Sequence, residues 1–337
     1  MTKTRHHRGE RRGAAGRVRM LAAKANHWRQ TRWFRLAGFV LGAALVVLAV
    51  AAALQQDPQA MRRSIEALGQ HPWWFVALFL LLPVLNWLSI SASIWFLLSR
   101  FGRVGMGEML SLIGMAWLLN YLPMRPGMVG RVAYHKAINK IPVRHTGQTL
   151  LEGVVITAVA SGIMLLGAVV LRGAEAMWGW MLLVLVPMAA GGIGAAVLWS
   201  ERPVLARYCA SGAMRVLDMA IWAARYALAF AIVGSTIDLP TALILAIASQ
   251  IAMLVPISGN GLGVREWLIG ALAASLPAAV ISGDSQLAQG LTADVLNRVV
   301  EVLIAVPIGL AGMALIARRL RRDKDTRAPT TDTTGLP

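Results

Sequence analysis

The chain has 337 residues, 57% hydrophobic and 15% charged, yet carries 33 Lys and Arg against 16 acids, a net charge of +17. Its apolar stretches reach the roughly 20 residues needed to cross a hydrocarbon core of about 30 Å, which excludes an ordinary soluble domain. A transmembrane barrel would show short alternating segments, and they are absent. The fold class that follows is an all-α polytopic membrane protein.

Residues 1–32 read as a basic N-terminal arm. The first 35 residues hold eleven Lys and Arg against the single acid Glu10, which places the arm in the cytoplasm by the positive-inside rule. No aromatic platform accompanies these charges, so no nucleic-acid partner is expected. The first span, 33–54, ends in AVAAAL. A charged region this long and so extended an apolar core favour an uncleaved anchor over a signal peptide. A short outer loop follows, and span 73–98 returns to Arg100 and Arg103 on the basic side.

The next apolar stretch, 106–122, is shorter and runs into NYLPMRPGMVGR. Strongly basic sequence follows it (Arg131, His135, Lys136, Lys140, Arg144, His145). A full crossing would export those charges. A re-entrant hairpin near 106–141, turning between Pro123 and Gly127, keeps them inside. The alternative, a short helix followed by an interfacial arm, stays open at this point. Span 148–171 closes the first unit, 33–172.

The second unit, 177–318, repeats the order: spans 177–199 and 214–234, a hairpin near 240–280, and span 296–317. The stretch ISGDSQLAQGLTAD has acids but no basic residue and reads as an external loop. Residues 319–337 form a basic and polar cytoplasmic tail. Two spans, a hairpin and a third span per unit give an odd number of crossings. The expected architecture is therefore six full transmembrane helices plus two opposed re-entrant hairpins arranged as an inverted repeat.

The two breaks match in detail. LPMRPGMVGR carries Pro123, Arg125, Gly127, Gly130 and Arg131; VPISGNGLGVRE carries Pro256, Gly261, Gly263, Arg265 and Glu266. In each, proline ends an arm, glycines permit close approach and positive φ, and an arginine opens the next arm. Unpaired amides at such helix starts favour phosphate, and a guanidinium grips phosphate with two parallel hydrogen bonds. The lipid-phosphate site expected from this pairing comprises Arg125, Gly127, Gly130, Arg131, Gly261, Gly263, Arg265 and Glu266. The bland reading of each break alone is a packing kink.

With LNRVVEVLIAVPIGLAG near the C-terminus, these two motifs make the chain resemble the flippase-like transmembrane region of lysylphosphatidylglycerol synthases and their stand-alone relatives. The resemblance spans roughly residues 35–318, and Gly261-x-Gly263-x-Arg265-Glu266 is its most specific piece. It implies a bacterial inner membrane and the movement of a phospholipid or polyprenyl-type lipid between leaflets. Only a short polar tail follows the last span, so aminoacyl transfer is not expected, and Ser-Gly-Asn before Gly261 departs from a more compact proline-glycine turn.

Ionisable residues at membrane depth are functional candidates. Arg225 needs a partner, for which Glu301 and Asp218 are available, and Arg298 lies three residues before Glu301. This intramembrane network (Arg225, Asp218, Arg298, Glu301) reads equally as structural ion pairing or as part of a substrate path. His135 shares a helical face with Arg131, with a solvated interfacial role as the plainer reading. Asn120 and Gln250 precede their breaks and can satisfy freed backbone groups. Cys209 is the single cysteine, and no histidine spacing suits a metal. No catalytic residue, metal or cofactor is expected. Lipid transport leads; a membrane-embedded headgroup enzyme, or a structural partner of a lipid-modifying enzyme, is the alternative. Self-association and an enzyme partner both stay open.

Overall fold

The computed structural model describes residues 66, 69–122, 125–170, 177–254, 259–275 and 286–325. The first expected span, the prolines Pro123 and Pro256, and the outermost part of the tail lie outside the described residues. Among the described residues all regular structure is helical: α1 (Trp73–Leu98), α2 (Met106–Leu119), α3 (Pro126–Ala137), α4 (Val143–Val170), α5 (Met177–Leu198), α6 (Pro203–Ile232), α7 (Leu239–Leu254), a 3₁₀ turn (Gly259–Gly261), α8 (Val264–Ser275) and α9 (Gln286–Asp325).

Four of these, α1, α4, α5 and α9, are long and apolar enough to cross a bilayer. Helix α6 spans 30 residues, about 45 Å at 1.5 Å per residue, but Arg215, Asp218 and Arg225 interrupt its hydropathy. It sits at the centre of the bundle, packed on α1, α4, α5, α7 and α9, and buries Met219, Trp222, Tyr226 and Phe230. The outward faces of α4 and α5 are apolar, with Leu151, Val155, Ile163, Leu166, Leu182, Val186 and Val197 exposed. An apolar exterior over a charged interior is the pattern of a helical membrane protein, in which lipid covers the outer face and buried charges turn inward.

Both expected hairpins are helix–break–helix units. In the first, Gly127 lies against the backbone of Ala116, Tyr134 packs with Leu112, and Asn139 bonds Glu108. These steps run α3 antiparallel to α2. The residue with left-handed backbone at this tip is Arg125 (φ 48), not a glycine. Pro126 then opens α3, where its missing N–H leaves nothing unsatisfied. Gly127 and Gly130 already belong to the helix. In the second hairpin, Gly261 (φ 72) and Gly263 (φ 80) carry the positive φ expected of them. A side chain at Gly261 would crowd the backbone of Ala252 and Met253.

Helix α9 clasps both hairpins. Against α2 it presents Gly309 and Gly312, which meet Leu118 and the Ser111 backbone; against α8, Gly290 rests on Gly270 and Ala273. Small residues let these backbones approach closely where no hydrophobic effect drives helices together. The helix also corrects the expected external loop. Residues 286–294 are helical, continuous with the span that was expected to begin at Leu296. Thr292 and Asp294 are fully buried: their polarity is spent inward, on the core, so hydropathy could not distinguish this segment from a loop.

Candidate functional site

The two hairpin tips meet. Gly259 lies so close to the backbone of Tyr121 and Leu122 that any β-carbon there would collide. Beneath this contact stands Glu301 of α9, 1% exposed, whose two carboxylate oxygens gather five donors. Oε1 accepts from Trp117 Nε1 at 3.3 Å, Tyr121 Oη at 2.9 Å and Asn260 Nδ2 at 3.1 Å. Oε2 accepts from Arg225 Nη2 at 3.2 Å and Arg265 Nη1 at 2.9 Å. One side chain thus ties the first tip, the second tip and the central helix α6 together.

The remaining charges are arranged around it. Arg265 is fully buried and donates from Nε to Asp294 Oδ2 at 3.0 Å, while Asp294 Oδ1 accepts from Tyr226 Oη at 2.8 Å. Arg298 donates to Glu266 Oε1 at 2.9 Å and to the Asn260 carbonyl at 3.0 Å. Arg225 donates to Asn297 Oδ1 at 2.9 Å and to Asn86 Oδ1 at 3.0 Å, and its guanidinium lies 4.0 Å from the centre of the Trp222 ring. Asn86 passes the chain on, donating to Asp218 Oδ1 at 2.8 Å. Asp218 in turn lies 3.5 Å from Arg215 Nη1. In this network Arg225, Arg265 and Arg298 face Asp294, Glu266 and Glu301, so cations and carboxylates balance. Buried charges survive only when paired and hydrogen-bonded in this way.

One charge stands apart. Arg131, on the second arm of the first hairpin, is 6% exposed and has no hydrogen-bond or ion-pair partner among the described residues. It lines a cavity of about 160 Å³ between the hairpins and α6, together with Asn120, Asp218, Trp222, Arg225 and Asn260. Arg125, the residue capping the same arm, also has two buried guanidinium nitrogens, Nε and Nη2, without a hydrogen-bond partner among the described residues. Single buried guanidinium nitrogens of Arg215, Arg265 and Arg298 also lack a hydrogen-bond partner among the described residues, but each of those three arginines has a carboxylate within reach.

The structure therefore separates the two arginines that the motifs set in parallel. Arg265 is held by two carboxylates and lies behind the cavity wall; Arg131 faces the cavity with its donors unspent. Glu266 serves Arg298, leaving Oε2 without a hydrogen bond among the described residues. Arg225 meets Glu301 directly and Asp218 through Asn86, and Arg298 turns to Glu266. His135 is fully buried, its Nδ1 2.9 Å from Asn139 Oδ1. Asn139 also bonds Glu108, which Arg319 of α9 reaches at 2.9 Å. Asn120 and Gln250 both line the cavity.

Sequence reasoning missed Asn86, Arg215, Asn260, Asp294 and Asn297. Asn86 and Asn297 were open to discovery as polar residues inside apolar runs, and Asn260 as the departure within the second motif. Asp294 was hidden by its assignment to a loop. Comparison of the chain with protein-family models, with curated proteins and with solved structures finds no match.

Proposed function

We propose that the protein is a flippase-like lipid transporter of the bacterial inner membrane, moving a phosphate-bearing lipid between leaflets, as the resemblance of its two motifs implies. The reading rests on one observation above the others: Arg131 is a buried guanidinium, without a counter-ion among the described residues, facing a cavity at the junction of two broken helical hairpins. A cation in a low-dielectric setting needs an anion, and no carboxylate among the described residues supplies one to Arg131. Guanidinium geometry suits a phosphate.

In this account the two hairpins enter from opposite faces as halves of an inverted repeat, with six full crossings and both termini cytoplasmic. The headgroup rests in the cavity and the acyl chains stay in the bilayer. Glu301 joins the tips, so a lipid passing between them must loosen contacts that converge on one carboxylate. Translocation in proteoliposomes tests the reading. Fluorescent phospholipids of several headgroups are reconstituted and quenched from outside. Quenching beyond the outer-leaflet fraction, relative to protein-free vesicles, supports transport; for every headgroup matching protein-free vesicles, the proposal fails.

A further inference from the structure

The two hairpins bring a matched pair of amides to the cavity. Asn120 ends the first arm of the first hairpin, Gln250 lies on the first arm of the second, and both line the space that Arg131 faces. Each stands shortly before a helix break, where a side-chain amide can satisfy freed backbone groups. Neither does so: among the described residues, Asn120 and Gln250 make no side-chain hydrogen bond. The Oδ1 of Asn120 is buried against Gly127, where a β-carbon would lie 2.7 Å away. Gly127 is one turn before Arg131 on α3, so amide and guanidinium meet the same helical face.

Three tryptophans complete the wall, Trp87, Trp117 and Trp222. The indole N–H groups of the first two are already used: Trp87 donates to the Leu110 carbonyl at 3.1 Å and Trp117 to Glu301 at 3.3 Å. What these two rings offer a ligand is aromatic carbon. The two carboxylates on the wall are engaged as well. Glu301 holds its five donors, and Asp218 accepts from Asn86 at 2.8 Å and faces Arg215 at 3.5 Å.

These groups select among headgroups. An ammonium needs an unspent carboxylate, and the cavity has none; the Trp222 ring, where a cation would stack, already carries Arg225 at 4.0 Å. A bare phosphate uses neither amide. A sugar phosphate meets every feature. Its hydroxyls donate and accept, as side-chain amides do. Its ring C–H groups lie against aromatic carbon, and its phosphate goes to Arg131. The cavity, about 160 Å³, is about ten times the roughly 10–15 Å³ that one water needs, so it has room for more than the phosphate.

We infer that the cavity is built for a glycosyl phosphodiester: Arg131 takes the phosphate, Asn120 and Gln250 take sugar hydroxyls, and Trp87 and Trp117 form the surface on which the ring rests. This rests on the proposal that the cavity receives a lipid phosphate, and names the headgroup that phosphate carries.

The test is binding to the purified full chain in detergent, with four probes: a short-chain phosphatidylglucose, the phosphatidylethanolamine and the phosphatidic acid of the same chains, and the chain-free methyl glucosyl phosphate. The expected result is a preference for the glucosyl lipid over phosphatidylethanolamine on the order of thirtyfold, the worth of two hydrogen bonds. Asn120→Leu with Gln250→Leu should bring that ratio to about one and leave phosphatidic acid binding as it was. Each single change should carry part of the effect, which keeps the test decisive if the paired variant does not fold. Equal affinities for the glucosyl and ethanolamine lipids in the wild type, or an undiminished ratio in the variants, overturn the sugar site. If all three lipids bind equally and Arg131→Gln weakens them all, the lipid-phosphate cavity stands and only the sugar preference fails. If no lipid binds, both ideas fail. Methyl glucosyl phosphate binding as tightly as the glucosyl lipid would retain the sugar site and overturn its lipid source.

Discussion

Glu301→Gln is the sharpest perturbation of the core. The change keeps the side chain's size and removes its charge. Arg265 retains Asp294 at 3.0 Å, so it loses one of two carboxylates. Arg225 loses the only carboxylate it touches among the described residues; its other bonds go to the neutral Asn297 and Asn86. The glutamine amide must also turn either its NH₂ toward two guanidinium groups or its NH₂ toward the three donors of Trp117, Tyr121 and Asn260. Neither orientation satisfies both sets. Breaking a buried pair so that one charge is stranded costs about 3–5 kcal/mol, and the expected destabilisation lies in that range. A double-mutant cycle in mixed micelles, with Arg225→Gln, separates this from general damage. The pair should be less destabilised than the sum of the singles by about 2 kcal/mol or more, the size expected of coupled buried groups. A Glu301→Gln protein within about 1 kcal/mol of wild type, a loss typical of an exposed pair, would refute the claim that Glu301 holds the two tips and α6 together.

Other expectations follow from the same contacts. Gly259→Ala places a β-carbon into the Tyr121 backbone, so it should part the tips and cost about 1–3 kcal/mol by overpacking; an unchanged melting curve would show that the tips do not touch. Gly312→Leu should separate α9 from α2, because its neighbour there is the Ser111 carbonyl rather than a yielding side chain, and should abolish cooperative unfolding; a normal transition would contradict the packing. Arg319→Ala should cost no more than about 1 kcal/mol, since that side chain is half exposed although its partner Glu108 is buried; a larger loss in chemical denaturation would show a tighter link than the geometry gives. For topology, Lys140→Cys and Thr236→Cys in a Cys209→Ser background should react with an impermeant thiol reagent from opposite faces of the membrane. Labelling from the same face would defeat the assignment of α4, α5 and α6 as three crossings, and Arg103→Cys labelling from the face opposite to Lys140→Cys would defeat the re-entrant assignment of the first hairpin.

Much of the helical framework is legible in the sequence because lipid demands long apolar runs, and those survive any packing arrangement. The hairpins were legible because a break in such a run is costly and leaves marks: proline, glycine and arginine at matched positions. The site was only half legible. The motifs made Arg131 and Arg265 equivalents, but equivalence in sequence says nothing about which carboxylates lie opposite. Asp294 and Glu301 come from a helix some 30 residues away and take Arg265 out of play, whereas no described carboxylate reaches Arg131. Arg215 went unnoticed for the opposite reason: it lies at the start of the expected span 214–234, where a basic residue stands out least. The beginning of α9 was misread as a loop because a helix that buries its polar residues inward carries the same composition as a solvated loop. Which face a polar residue turns to is a tertiary fact, and one chain's hydropathy averages over it.

The most direct test of the account is the translocation rate of a phosphate-bearing lipid in proteoliposomes for wild type, Arg131→Gln and Arg131→Lys, with equal folded protein confirmed by unfolding curves. Arg131→Gln should lose essentially all transport while folding normally, because that side chain bonds nothing in the described protein, and Arg131→Lys should recover part of it. Transport in Arg131→Gln at the wild-type rate would contradict the assignment of the cavity as the path of the headgroup.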